Sequence, residues 1–182
     1  MRISDDRYSR DRLRLDLALR FIRHEARTQT IRAWTGLTED RIRKLCRGYA
    51  ERPGSAPRPR GRSPQQASFF TRSPRLRQEA ALLASLCELL GVLPHSRRAA
   101  QLGLLRPGFA AGLALCQIYE AYRVLLPAAR ISFEHTIFLF TALLRADELR
   151  LATCCGCGAL LVVERLVLKE PRCLHCARLE QD

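Results

Sequence analysis

Long apolar runs are missing from this chain of 182 residues, and no stretch reaches the length that spans a bilayer. The opening MRISDDRYSR holds no apolar segment of the signal-peptide kind, so the expected location is the cytoplasm, where thiols stay reduced. Lysine is nearly absent: Lys44 and Lys169 stand in a chain with 31 Lys and Arg in all. Catalytic patterns are missing too. There is no nucleophile–base pair, no paired carboxylate motif and no phosphate-cradling glycine loop, and the four histidines, His24, His95, His135 and His175, are scattered. Pro171-Arg172-Cys173 comes near the PCxxC of zinc deaminases, but the upstream H-x-E that such an enzyme needs does not occur. No βαβ context surrounds the CxxC pairs, which disfavours a thioredoxin-like redox site. The chain is therefore expected not to be an enzyme.

What is present is enough apolar sequence for a core, 47% of residues, and a net charge of +13. The charge is uneven. Residues 1–62 carry 17 Arg and Lys against 8 Asp and Glu, while residues 63–182 carry 14 against 10. A basic N-terminal third points to a polyanionic partner, most often nucleic acid. The alternative is an arginine-rich solvated surface.

Helical periodicity predicts a first helix over about Tyr8–Ala26, with Leu15, Leu19, Ile22 and Ala26 recurring on one side. A short helix over Thr30–Trp34, a turn at Gly36-Leu37 and a helix from Thr38 to Ala50 follow. Thr38 is a candidate N-cap, with Glu39 and Asp40 suited to the first turn. Glu51–Pro64, ERPGSAPRPRGRSP, reads as an extended connector rich in Pro, Gly and Arg. Beyond Phe69-Phe70 three more helices are predicted, over Arg75–Leu90, Phe109–Leu126 and Ile131–Leu149. The tail changes to Cys and Gly punctuation around β-favouring runs at Leu160–Val163 and Leu166–Leu168. The fold class expected is mainly α, a helix-turn-helix-containing helical domain with a small C-terminal four-cysteine zinc module. The division is residues 1–50, connector 51–68, helical core 69–150 and zinc module 151–182.

Eight cysteines in a reduced compartment suggest metal binding or buried thiols. Cys154-x-x-Cys157 and Cys173-x-x-Cys176 are two knuckles fifteen residues apart, the spacing of a four-cysteine zinc site. Four thiolates close a tetrahedral shell, so the predicted ion is one structural Zn2+ per chain with no open position for substrate. Cys155 is a spare thiol, and His175 is more naturally a neighbour than a ligand. Cys46, Cys87 and Cys116 fall in helices as small core residues.

In the helix from Thr38, Ile42, Leu45, Cys46 and Tyr49 share one side, and the other presents Asp40, Lys44 and Arg47, flanked by Arg43 and Arg41. A recognition helix needs this division, one stripe packed and one offering donors to phosphates and base edges. An ordinary helical hairpin with a solvated face has it too. Arg58, Arg60 and Arg62 in the connector are candidate phosphate contacts.

The order of these pieces resembles the FlhC family, the C subunit of the bacterial flagellar master transcriptional activator. The resemblance rests on the helix-turn-helix, the connector before Phe69-Phe70, Ile118-Tyr119-Glu120-Ala121-Tyr122-Arg123, the approach Leu149–Thr153 and the Cys-Cys-Gly-Cys-Gly knuckle. It covers nearly the whole chain, and the order of motifs carries most of it. It implies assembly with FlhD-type subunits into a heterohexamer, binding and bending of promoter DNA, and activation of flagellar operons with RNA polymerase. It also implies that Cys154, Cys157, Cys173 and Cys176 are the zinc ligands. The chain departs from the family at Ser68, where a tryptophan is usual, and at Glu134–Phe138, where an Arg-Ala-Trp stretch is usual. It also ends in Leu179-Glu180-Gln181-Asp182 in place of a basic tail. These mark a divergent member. The rival expectation is an adaptor that binds a protein partner and has no DNA binding of its own.

Overall fold

A computed structural model describes residues 2–51, 64–93 and 107–179. The protein is mainly helical. Helices α1 (Arg2–Arg23), α2 (Thr28–Thr35) and α3 (Glu39–Ala50) are followed by a 3-10 turn at Ala67–Phe70. Next come α4 (Pro74–Leu89), α5 (Phe109–Leu125) and α6 (Phe133–Arg145). Strands β1 (Leu149–Thr153) and β2 (Leu160–Glu164) pair antiparallel, Leu149 opposite Glu164 and Thr153 opposite Leu160, and α7 (Leu174–Leu179) closes the chain. No helix among the described residues is long and apolar enough to cross a membrane. The connector arginines Arg58, Arg60 and Arg62 lie outside the described residues.

Side-chain caps set three helix starts. The Thr38, Ser73 and Ser132 hydroxyls accept N–H bonds from Arg41, Leu76 and His135 at the starts of α3, α4 and α6. Pro74 opens α4, where its missing N–H costs nothing. The turn between α2 and α3 depends on Gly36. Its φ of 69° is left-handed, and its N–H closes α2 on the Arg32 carbonyl at 2.9 Å.

The buried face of α1 is rotated from the predicted stripe. Leu17, Ala18, Phe21 and Ile22 are buried, whereas Leu15 and Leu19 lie at the flank. Helix α6 stops at Arg145 rather than Leu149, because Ala146 turns left-handed at φ 51°. Leu149 is instead the buried first residue of β1. Leu166–Leu168, predicted as β, forms no strand; Leu166 and Leu168 project from the chain at 89% and 99% exposure.

One hydrophobic core runs from Leu17 through α2, α4, α5 and α6 to Val162. Phe133 is its centre, edge-on to Phe21 at 5.0 Å and to Tyr119 at 5.2 Å, with His24 at 5.0 Å. Around it, carboxylates lock the elements together. Glu120 on α5 accepts Arg20 Nε at 2.7 Å and His24 Nε2 at 2.9 Å from α1. Glu134 on α6 takes the Arg27 N–H at 2.8 Å and the Thr30 hydroxyl at 3.0 Å, and so caps α2. Glu79 on α4 is 1% exposed. Its Oε2 accepts the Tyr122 hydroxyl at 2.6 Å and the Arg130 and Ile131 N–H groups at 2.8 and 3.1 Å, while Oε1 takes Arg75 Nε at 3.0 Å.

Burial alone would raise the Glu79 carboxyl, but these four donors outweigh it and hold the group below the usual carboxylate range. The Arg20 guanidinium lowers Glu120 likewise, against the opposing effect of burial, with His24 adding to it. Burial lowers His24 more than Glu120 raises it. On the acid side the unfolded chain therefore binds more protons than the folded one, so stability must rise with pH. The expected result is a melting temperature that falls first as pH drops below the histidine range and again through the carboxylate range. Glu79→Ala takes the acceptor from the Tyr122 hydroxyl and the Arg130 N–H, leaving Ile131 N–H only the Tyr122 oxygen at 3.3 Å, and should cost about 3 kcal/mol or more. Glu79→Gln keeps an acceptor oxygen for all but Arg75 and should cost about 1 kcal/mol. Urea unfolding at neutral pH, repeated at acid pH, measures both; equal losses in the two variants would show that the carbonyl-side bonds do not matter.

Candidate metal centre and the basic helix

The turn between β1 and β2 is the first knuckle. Strand pairing carries on past Thr153, where the Cys154 N–H donates to the Ala159 carbonyl at 2.8 Å. The chain then reverses with Gly158 N–H on the Cys154 carbonyl at 2.9 Å. The second knuckle is docked on the first by Cys155 N–H to the Pro171 carbonyl at 3.0 Å. These bonds bring Cys154, Cys157, Cys173 and Cys176 together with all four sulfurs within 4.8 Å of one another. Cys157 and Cys173 Sγ stand 3.6 Å apart. A tetrahedral ion with sulfur bonds of about 2.3 Å sets its ligands about 3.8 Å apart, so the donor set fits a single metal ion.

Gly156 makes this approach possible. A Cβ there would lie 3.0 Å from Cys176 Sγ and 3.2 Å from its Cβ, inside ordinary contact. Backbone donors serve the sulfurs as they would serve thiolates. The Cys173 N–H reaches Cys154 Sγ at 3.2 Å and the Cys176 N–H reaches Cys173 Sγ at 3.3 Å. The N–H groups of Cys173 and then Cys157 pull the Cys154 thiol down to about 6. Cys173 beside it, with Cys157 and Cys154, pushes Cys176 up to about 12. Four thiolates cannot share this volume without a cation, which is the condition a bound metal relieves. Cys155 is exposed and stands outside the set. Cys87 and Cys116 are buried, and burial pushes both thiols up to about 12, which makes them inert core residues.

On α3, Ile42 is fully buried and Leu45, Cys46 and Tyr49 are half-buried against the core. Arg41, Arg43, Lys44 and Arg47 are exposed. Their charges are not equally available. Arg43 pairs with Glu39 at 3.3 Å and Asp40 at 3.4 Å, and Arg41 with Asp11 of α1 at 3.6 Å. Among the described residues, Lys44 and Arg47 take part in no salt bridge. The buried carboxylates Glu79 and Glu134 and the partly exposed Glu120, which join the helices, have no signature in the sequence beyond single acidic residues in helices. No protein-family model matches this chain, and no curated protein matches it.

Replacing Cys173 by Ser should abolish metal retention and loosen the β1–β2 hairpin, whereas Cys155→Ser should retain the ion. Gly156→Ala should weaken metal affinity by about tenfold or more, since it displaces a ligand through its immediate support. Metal content by elemental analysis and competition with a chromophoric chelator reads all three. Equal metal loss in Cys155→Ser and Cys173→Ser would reassign the ligands.

Proposed function

We propose that this chain is a DNA-binding transcriptional activator subunit of the FlhC kind. In this reading it holds one structural zinc on Cys154, Cys157, Cys173 and Cys176 and carries no catalysis. It works in a hetero-oligomer, a heterohexamer with an FlhD-type partner, that recruits RNA polymerase to flagellar promoters. The observation that carries the reading is the division of α3, whose buried Ile42 stripe leaves Arg41, Arg43, Lys44 and Arg47 turned to solvent behind a glycine turn and a short preceding helix. That is the presentation a helix needs to enter a major groove. Glu39 and Asp40 in its first turn repel phosphates there, so the contacts fall to the later turns, where Lys44 and Arg47 stand. Zinc is the ion that best suits four thiolates without an open position.

The hetero-oligomer is supported by large apolar side chains left exposed at the ends of α4 and α5. Leu89 is 79% exposed, Val124 77% and Leu125 60%. Unpartnered apolar surface of this kind marks association. The isolated chain should therefore self-associate and become monodisperse when co-expressed with its partner, as light scattering would read. A stable monomer at working concentration contradicts this. The rival adaptor reading draws on the same exposed ends and on the internal pairing of Arg41 and Arg43, which leaves the helix less cationic than its sequence suggests.

DNA binding distinguishes the two. Each phosphate neutralised should add about 0.9 to the slope of log affinity against log salt. Lys44→Ala and Arg47→Ala should flatten that slope more than Arg41→Ala or Arg43→Ala, because the latter two already hold carboxylates. If α3 enters the major groove, one of the four should also cost about 1–3 kcal/mol of discrimination between promoter and scrambled DNA. Arg58, Arg60 and Arg62 should weaken both DNAs alike. Fluorescence anisotropy over a salt series, with the partner present, measures this; no effect from either group of variants would leave the adaptor reading in place.

A further inference from the structure

Strand β2 has one edge paired with β1 and one open edge. Arg165 N–H donates to the Glu148 carbonyl at 2.9 Å, and Cys154 N–H to that of Ala159 at 2.8 Å. In the observed register these bonds make Arg150/Val163 and Ala152/Leu161 the hydrogen-bonded pairs. Leu160, Val162 and Glu164 thus turn their backbone groups away from β1. The Glu164 carbonyl receives Val167 N–H at 3.2 Å. Among the described residues, the N–H and C=O groups of Leu160 and Val162 have no backbone partner outside the ribbon.

This edge lies along a groove of about 630 Å³ bounded by β2, the first half of α4 and the segment 167–175. Ala81, Val162 and Leu174 give it an apolar lining, and Arg72, Arg77, Lys169 and Arg172 give it a cationic one. Two carboxylates, Glu164 and Glu170, stand among these four cations, of which Arg77 Nε also donates to the Thr71 carbonyl at 2.6 Å and Arg72 lies over the Phe69 ring at 4.6 Å, so the lining keeps a net positive charge.

We propose that the groove docks an extended acidic segment of a partner protein, which adds beside β2 as a third strand. An edge that alternates donors and acceptors matches a polypeptide backbone, whereas nucleic-acid phosphates only accept. The five residues of β2 present an edge of about 17 Å, enough for four or five partner residues. Main-chain bonds to Leu160 and Val162 supply the affinity. The arginines and Lys169 select acidic side chains, and the apolar lining selects the residues between them. The metal module shapes one wall, because Cys173 and Leu174 line the groove. None of this depends on the DNA reading of α3.

The test uses the full chain purified with zinc and a fluorescent library of hexapeptides in which Asp or Glu alternates with Val, Ile or Thr. Binding is expected for these and not for the matching Lys and Arg library. N-methylation of alternate residues in a bound peptide should abolish binding in one register and spare it in the other, because only every second N–H faces β2. Lys169→Glu should weaken binding by about fivefold, the worth of one exposed ion pair. The proposal is overturned by failure of the whole acidic library, by equal binding of the basic one, or by indifference to the N-methyl register. Displacement of the peptide by duplex DNA would assign the cationic lining to nucleic acid and overturn it equally.

Discussion

Four cysteine sulfurs held within 4.8 Å of one another impose the constraint on which the C-terminal third depends. As thiolates they would repel, so the ionised set is one that a bound cation would relieve. The consequences extend beyond the ligands. The first knuckle is the turn of the β1–β2 hairpin, and the second is tied to it by the Cys155 N–H. The hairpin in turn sets Val162 against the helical core and fixes the position of the β2 edge. A two-stranded ribbon alone is marginal in water. Here it is joined at its turn by the thiol cluster and covered on its face by α4, so the cysteine cluster and the core meet on the same short element.

The helical part uses a different device. Glu79, Glu120 and Glu134 each bridge segments distant in sequence, and each is supplied with several donors. A buried carboxylate left with one partner would be a liability, but a fully served one fixes geometry. Glu120 and Tyr122 fall within Ile118–Arg123, the stretch that carries part of the FlhC resemblance. In the structure these two side chains hold α1 and α4 against α5. What those two side chains do here is join helices.

Some features were legible in the sequence and others were not, for reasons that differ by residue. The thiol cluster was legible because chelation demands local spacing, and Cys-x-x-Cys leaves few other uses. Helix α3 was legible because Thr38, Gly36 and the alternation of Ile42 with charged residues are all local signals. The rotation of α1 was not, since Leu15 and Leu19 satisfy a helical period as well as Leu17 and Phe21 do. Tertiary packing on Phe133 chose between them. Strand β1 was hidden because Leu149-Arg150-Leu151 continues an apolar helix without a proline or glycine, and the break is made by Ala146 in a left-handed conformation. Leu166–Leu168 has strand-forming residues but no neighbour to pair with, and propensity without pairing does not make a strand.

Charge shows the same gap between composition and placement. A net charge of +13 suggests a uniform attraction to polyanions, yet the fold distributes it in three ways. Arg20 and Arg75 are committed to buried or half-buried carboxylates and serve stability. Arg41 and Arg43 rest in exposed pairs, which are worth little and open readily when a stronger anion arrives. Lys44 and Arg47 on α3 stand outside any salt bridge among the described residues. Arg72, Arg77, Arg172 and Lys169 line the groove beside β2, and no residue of α3 does. The cations left outside salt bridges on α3 and those lining the β2 groove sit on different elements, so a substitution in one set leaves the other in place. That is the physical reason to keep the helix and the groove apart in any account of this chain.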